Sequence, residues 1–217
     1  SPSTAVTPYV PASTYTLTGP SGGPIGVPSG LFTVTPNALF VGSITITPYG
    51  GGVSAPIVLT YNKSAAPQSF TITPLSPGPV SLIGSNSGSL TNPAPLNYGT
   101  PPSAPVISSG TAGNGSITLQ VIPPLSYGGG TIFNYLATCT PGGTGTSTGS
   151  SITIPGLTNG VAYTCSVVAV NEYGRSSPSA AFGPIVPMGP PSAPGNVIAT
   201  AGNGQATVSF SPAASNG

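Results

Sequence analysis

The stretch Leu157-Thr158-Asn159-Gly160-Val161-Ala162-Tyr163-Thr164-Cys165-Ser166-Val167-Val168-Ala169-Val170-Asn171 decides how the rest of the chain is read. Asn159-Gly160 is a strong turn signal, because both residue types enter the left-handed backbone region at little cost. Beyond it, Tyr163, Cys165, Val167 and Ala169 occupy alternate positions, so the two-residue period of a strand puts them on one face. The same reading extends upstream. Ile117, Leu119 and Val121 alternate with Thr118 and Gln120 until Pro123-Pro124 ends the run. Ile132 to Thr140 reads as a second strand with Tyr135, Ala137 and Cys139 on one face, and Ile152 with Ile154 as a short third. A last strand, about Ala180 to Val186, is bounded by prolines.

These strands belong to a repeating unit. Pro101-Pro102-Ser103-Ala104-Pro105 returns as Pro190-Pro191-Ser192-Ala193-Pro194, and Thr111-Ala112-Gly113-Asn114-Gly115 returns as Thr200-Ala201-Gly202-Asn203-Gly204. The offset is 89 both times, from 101 to 190 and from 111 to 200. A period near 90 suits a β-sandwich domain, and residues 189 to 217 then correspond to its first two strands.

The leucine six residues before a tyrosine, the Asn-Gly turn between them, the Tyr-x-Cys-x-Val-x-Ala-x-Asn strand and the Gly174 loop beyond resemble a fibronectin type III domain. The resemblance covers about residues 101 to 188 and, through the repeat, 190 to 217. It implies that Tyr163 is a tyrosine corner, with its hydroxyl bonded to upstream backbone. It also places Cys139 and Cys165 inward on adjacent strands of one sheet, which implies a disulfide, although by number alone two cysteines could equally be inert core thiols. The family's usual tryptophan is missing, and Val121 and Phe210 are the expected occupants of that core region. The loop Asn171-Glu172-Tyr173-Gly174-Arg175-Ser176 lacks the Arg-Gly-Asp tripeptide, so integrin recognition does not carry over.

Before residue 100 the pattern changes. Seven short runs are separated by turn clusters: Tyr15 to Thr18, Leu31 to Thr35, Ile44 to Pro48, Ile57 to Tyr61, Ser69 to Thr73, Val80 to Ser85 and Ala94 to Tyr98. Their number and spacing suit an immunoglobulin-like sandwich over 15 to 100, similar to bacterial surface immunoglobulin-like repeats. Residues 1 to 14, with three prolines, read as an extended linker or an edge strand. The fold class is therefore all-β: tandem immunoglobulin-like and fibronectin type III β-sandwiches.

Charge excludes most chemistry. The 217 residues contain two Lys plus Arg, one Asp plus Glu and no His, against roughly a quarter charged in ordinary globular chains. Acid/base pairs, hydrolytic triads and carboxylate or histidine metal sites cannot be assembled from Lys63, Glu172 and Arg175. The expectation is no catalytic residue, no metal and no cofactor. Two cations over the whole chain cannot form a basic face for nucleic acid. No apolar run reaches the length of a membrane span, and no signal peptide opens the chain, so a soluble, mature or internal segment is expected. Glycine (32) and proline (29) together exceed a quarter of the residues, but they punctuate alternating apolar runs rather than replace them.

Among single residues, Lys63-Ser64 reads as a solvated turn in preference to a nucleophile pair or an isopeptide site, and Glu172 with Arg175 as an exposed pair. Asn62-Lys63-Ser64 and Asn114-Gly115-Ser116 match the N-glycosylation pattern, making Asn62 and Asn114 candidate acceptors. The functional expectation is a non-catalytic extracellular or cell-surface protein, self-associating into a fibre, surface layer or adhesin stalk, with cell-surface or glycan contacts. The alternative is a spacer or weak carbohydrate-binding module of a secreted hydrolase or phage tail protein.

Overall fold

The computed structural model describes residues 10 to 53 and 55 to 216, so the part of the 1 to 14 segment before Val10 lies outside the described residues. Apolar residues two apart, interrupted by glycine and proline, produce strands here and no helix long and apolar enough to cross a membrane among the described residues. The chain folds as two units. The first is the segment ending at Ser103 together with Leu125–Ile132 and Val170–Ser176; the second is Ala104–Pro124, Phe133–Ala169 and Ser177–Gly217.

The first unit contains β1 (Tyr15–Thr18), β2 (Phe32–Pro36), β3 (Phe40–Tyr49), β4 (Ile57–Ser64), β5 (Gln68–Phe70), β6 (Val80–Asn86) and β7 (Leu96–Tyr98), each overlapping one of the seven runs expected from sequence. They form two antiparallel sheets, ordered β1-β2-β5 and β4-β3-β6-β7. The inward residues Phe32, Val34, Ile44, Ile46, Val80 and Leu82 are completely buried between them. Each such side chain stabilises the fold by about 1.5 to 3 kcal/mol. Phe32 stacks on Phe70 at 5.4 Å between ring centres and tilts against Tyr98 at 5.8 Å. Several aromatics sit on glycine: Phe32 covers Gly19 and the Tyr15 ring covers Gly84, so closely that a β-carbon at either glycine would overlap the ring. Ahead of β1, Pro11 and Thr14 make parallel bridges to Leu39 and Thr91, which makes this part of the leading segment an added edge.

From Val106 on, the chain contains β8 (Val106–Gly113), β9 (Ser116–Ile122), β10 (Asn134–Thr140), β11 (Thr144–Ser147), β12 (Ser151–Ile154), β13 (Tyr163–Asn171), β14 (Gly174–Arg175) and β15 (Phe182–Ile185), followed by the hairpin β16 (Gly195–Gly202) and β17 (Gln205–Ser211). Residues Val170–Ser176, at the end of β13 and in β14, belong with the first unit. One sheet is ordered β12-β9-β8 and the other β11-β10-β13-β14, with β15 also paired to β13. The expected inward sets are the buried ones: Ile117, Leu119 and Val121 on β9 lie beside Ile152 and Ile154 on β12, and Tyr135, Ala137, Val167 and Ala169 of the other sheet are buried too. Phe210 corrects the sequence reading. It is 59% exposed, because no second sheet covers the β16–β17 hairpin among the described residues.

Outward positions carry hydroxyls in rows. Thr18, Thr33 and Ser69 align across β1, β2 and β5, and Thr111, Thr118 and Thr153 align across β8, β9 and β12. Within these rows Thr33 Oγ1 lies 3.1 Å from Ser69 Oγ, and Thr118 Oγ1 lies 3.3 Å from Thr153 Oγ1. Cross-strand hydroxyl pairs of this kind stabilise a sheet without using charge.

Candidate functional site

The disulfide and the tyrosine define the interior of the second unit. Cys139 on β10 and Cys165 on β13 are neighbours on adjacent strands, with Cα atoms 4.0 Å apart and sulfurs joined at 2.02 Å. Both are buried, the side on which the two-residue period places them. Tyr163, two residues before Cys165, accepts a hydrogen bond on its hydroxyl from the Thr158 N–H at 3.0 Å. That bond fastens the Asn159-Gly160 turn to the start of β13. Tyr163→Phe is expected to destabilise the unit by about 1 kcal/mol, the usual net value of one such bond. A urea midpoint identical to the parent would show that the bond carries no weight.

The three charged side chains do not converge on a shared site. Lys63 is not in a turn, as the sequence suggests, but inside β4 at a β-bulge: Phe40 pairs with Ser64 and Val41 with Asn62, leaving Lys63 as the extra residue at φ 49°. Glu172 Oε2 accepts from the Thr131 N–H at 2.9 Å, and it makes no ion pair with Arg175 among the described residues. Shifted titration is seen in three tyrosines. Burial raises the phenols of Tyr15, Tyr61 and Tyr98 above their ordinary value of 10.0. A raised folded value means stability fully present below the unfolded value and lost as pH climbs through the folded one. Thermal melts are therefore expected to stay within about 10 °C of one another from pH 2 to 8 and to fall only in alkali, above about pH 10. A marked drop between pH 5 and pH 2 would contradict this.

Asn171, the last residue of the Tyr-x-Cys-x-Val-x-Ala-x-Asn pattern, organises the loops of the first unit, a role the pattern itself does not reveal. It is buried. Its Nδ2 donates to Thr100 O at 2.9 Å and Tyr127 O at 2.8 Å, while its Oδ1 accepts from the N–H groups of Tyr173 at 2.9 Å and Gly174 at 3.0 Å. All four hydrogen-bonding positions of the amide are thus filled. Beside it the Tyr173 ring lies against Gly22 and Gly99, which bridge to each other; a β-carbon on either would overlap the ring, so only glycine admits it. In the second unit, β8 and β15 border a groove of about 560 Å³ lined by Gly110, Ala112, Phe182, Ile185 and Met188 among others. Its lining includes no titratable side chain, so it offers shape without acid, base or nucleophile.

The two glycosylation patterns differ in setting. Asn62 is exposed on the outward face of β4. Asn114 is exposed in the β8–β9 turn, with its Oδ1 accepting from Asn159 Nδ2 at 2.7 Å.

Comparison with known proteins extends the geometry. A Kelch domain-containing protein of Saccharolobus solfataricus is 29% identical over 182 residues, covering 79% of this chain and 25% of that protein. The chain thus spans about a quarter of the length of this curated relative. A crystal structure of titin domains is similar at a TM-score of 0.45 with 17% identity, covering 81% of this chain and 66% of the titin chain. The FN1–FN3 domains of chicken CNTN1 give 0.38 and 16%, covering 83% and 68%. The family model for the fibronectin type III domain matches residues 100–183, the span containing Tyr163, the Cys139–Cys165 disulfide and the β8 to β13 framework. Residues 100–183 are a fibronectin type III domain.

Proposed function

We propose that the chain is a non-catalytic structural part of an extracellular assembly, a repeat-domain subunit of a cell-surface fibre, surface layer or adhesin stalk. The observation that carries this reading is the use made of the loops. Loops on a rigid sandwich are where ligand-binding residues collect. Here residues 125–132 and 170–176 belong to the first unit, where Asn171 donates to Thr100 O and Tyr127 O and accepts from the Tyr173 N–H, and Glu172 accepts from the Thr131 N–H. They build framework. The disulfide supports an oxidising, extracellular setting, and surfaces with almost no charge lack the repulsion that keeps soluble monomers apart.

The β16–β17 hairpin presents an apolar face among the described residues. Val208 and Phe210 correspond through the repeat to Leu119 and Val121, which are buried under a second sheet, yet they are 55% and 59% exposed. The hairpin's apolar face is complementary to a sheet like the one containing β10 and β13, and strand addition would supply main-chain hydrogen bonds with pockets for register. The protein from its native source is expected to form multimers by light scattering. A species that stays monomeric at high concentration in native solution conditions would overturn the assembly reading. A structure of the native assembly in which residues 196–212 pair only within a complete domain of their own chain would remove strand exchange at this end.

One observation favours a second reading. The similarity to a Kelch domain-containing protein covers most of this chain and only a quarter of that protein, as a module within a larger multidomain chain would. In that case the sandwiches are spacers beside other domains, and the length and remaining sequence of the parent protein distinguish the two.

A further inference from the structure

We propose that Asn62 bears an N-linked glycan in the native protein and that Asn114, despite the same Asn-x-Ser pattern, does not. The inference rests on the extracellular reading and adds a modification site to it. Asn62 lies on β4, the end strand of its sheet, and its side chain has no hydrogen-bond partner among the described residues. The bulge bends the triplet out of the extended form: Lys63 is left-handed, and Ser64 leads directly out of the strand, its hydroxyl accepting from the Ala66 N–H at 3.1 Å. The triplet therefore ends an open edge at the point where the backbone turns away from the ladder. Directly across from Asn62 stands Val41, 55% exposed, and Val58 on the same outward face of β4 is 60% exposed. A sugar at Asn62 would lie over these two aliphatic side chains, on a chain with almost no charge to keep such a patch solvated.

Asn114 is held in place. Its Oδ1 accepts from Asn159 Nδ2 at 2.7 Å, the next N–H, of Gly115, donates to Asn159 Oδ1 at 2.7 Å, and Asn159 Nδ2 also reaches Asn216 Oδ1 at 2.9 Å. Gly189 packs so near Asn114 Oδ1 that a β-carbon there would overlap it. Presenting this amide to a transferase means dismantling the asparagine cluster; presenting Asn62 disturbs nothing. The donor is an oligosaccharide on a lipid phosphate, brought by an oligosaccharyltransferase. Nδ2 attacks the anomeric carbon, the new C–N bond replaces the C–O bond to phosphate, the lipid phosphate departs with the electron pair, and one amide proton is lost to the enzyme's base.

The test is a non-reduced peptide map by mass spectrometry of the protein from its native source, using a protease other than trypsin because Lys63 adjoins the site. The expected result is glycan mass on the Asn62 peptide, none on the Asn114 peptide, and loss of that glycan in Asn62→Gln but not in Asn114→Gln. A sugar that survives Asn62→Gln, as one O-linked to Ser64 would, overturns the proposal, as does a bare Asn62 or a glycan on Asn114. The same map reports the cysteines. A bare Asn62 beside a linked Cys139–Cys165 pair refutes this proposal and leaves the extracellular reading standing, whereas a bare Asn62 with two free thiols refutes both.

Discussion

Replacing Asn171 with aspartate is expected to give a protein whose stability falls steeply with rising pH, in a chain whose own stability is expected to stay flat from pH 2 to 8. The amide donates to two carbonyl oxygens, Thr100 O and Tyr127 O, and a carboxylate would put a negative oxygen against both. Burial and these oxygens raise the folded pKa of an aspartate there above its unfolded value of about 4. The sign follows. Stability is fullest below pH 4 and is lost as pH rises through the folded value. The N–H groups of Tyr173 and Gly174 offset part of the charge, so at pH 7 the expected cost is about 2 to 4 kcal/mol, below that of a wholly unpaired buried charge. At pH 2 the protonated acid offers one O–H where the amide offered two N–H groups, and the cost falls to about 1 to 3 kcal/mol. Asn171→Ala should cost a similar 1 to 3 kcal/mol independently of pH. Denaturant titrations of the three proteins at pH 2, 4 and 7 decide the matter; an aspartate variant that matches the alanine variant at every pH would mean that residue 171 is not held against those carbonyls.

Removing the disulfide is the other large effect. The bond joins residues 26 apart, and on the chain-entropy model a closed loop of that size stabilises by about 3.5 kcal/mol. A Cys139→Ala, Cys165→Ala variant is expected to melt roughly 15 °C lower or more in the transition that reports the fibronectin type III domain. Calorimetry on the variant and its parent gives the answer, and a shift under about 5 °C would place the stability of this domain elsewhere. The measured difference contains a packing term as well as the loop term, since both cysteines are buried and the alanines leave small voids.

Much of the strand framework was legible in the chain because period 2 is a direct consequence of backbone geometry. Tyr163, Cys165, Val167 and Ala169 had to share a face, and the hydrophobic term selects which face is inward. The Thr144–Ser147 strand escaped that reading: Thr-Gly-Thr-Ser has no apolar alternation, and it forms by pairing with β10. Lys63 was misplaced because a bulge is defined by its partner strand, and pairing is not written in a local triplet. Phe210 was given to the core on a correct analogy with Val121, and it is exposed because its side chain needs a sheet that the described residues do not supply. Glycine was legible only in part. Gly115 and Gly160 punctuate turns, but Gly19, Gly84 and Gly99 are flat seats for rings distant in sequence, and only the three-dimensional packing shows that. The candidate site residues divide the same way: strand phase gives only the inward side of Cys139, Cys165 and Tyr163, their pairing and corner role come from the family resemblance, and the hub role of Asn171 depends on the carbonyls that the fold brings to it.

The rows of outward hydroxyls, Thr18-Thr33-Ser69 and Thr111-Thr118-Thr153, have a consequence for the solvent. Dissolved salt ordinarily reaches a protein first through its charges, whose fields it screens over about 10 Å at 0.1 M. A surface wetted by neutral hydroxyls offers that screening nothing to act upon. Raising sodium chloride from dilute to molar levels should leave both stability and association nearly unchanged. Sulfate, which works by exclusion from the surface, should drive the molecules together at concentrations where chloride does nothing. For such a protein brine and fresh water are almost the same medium, and the variable that counts is which solutes its surface excludes.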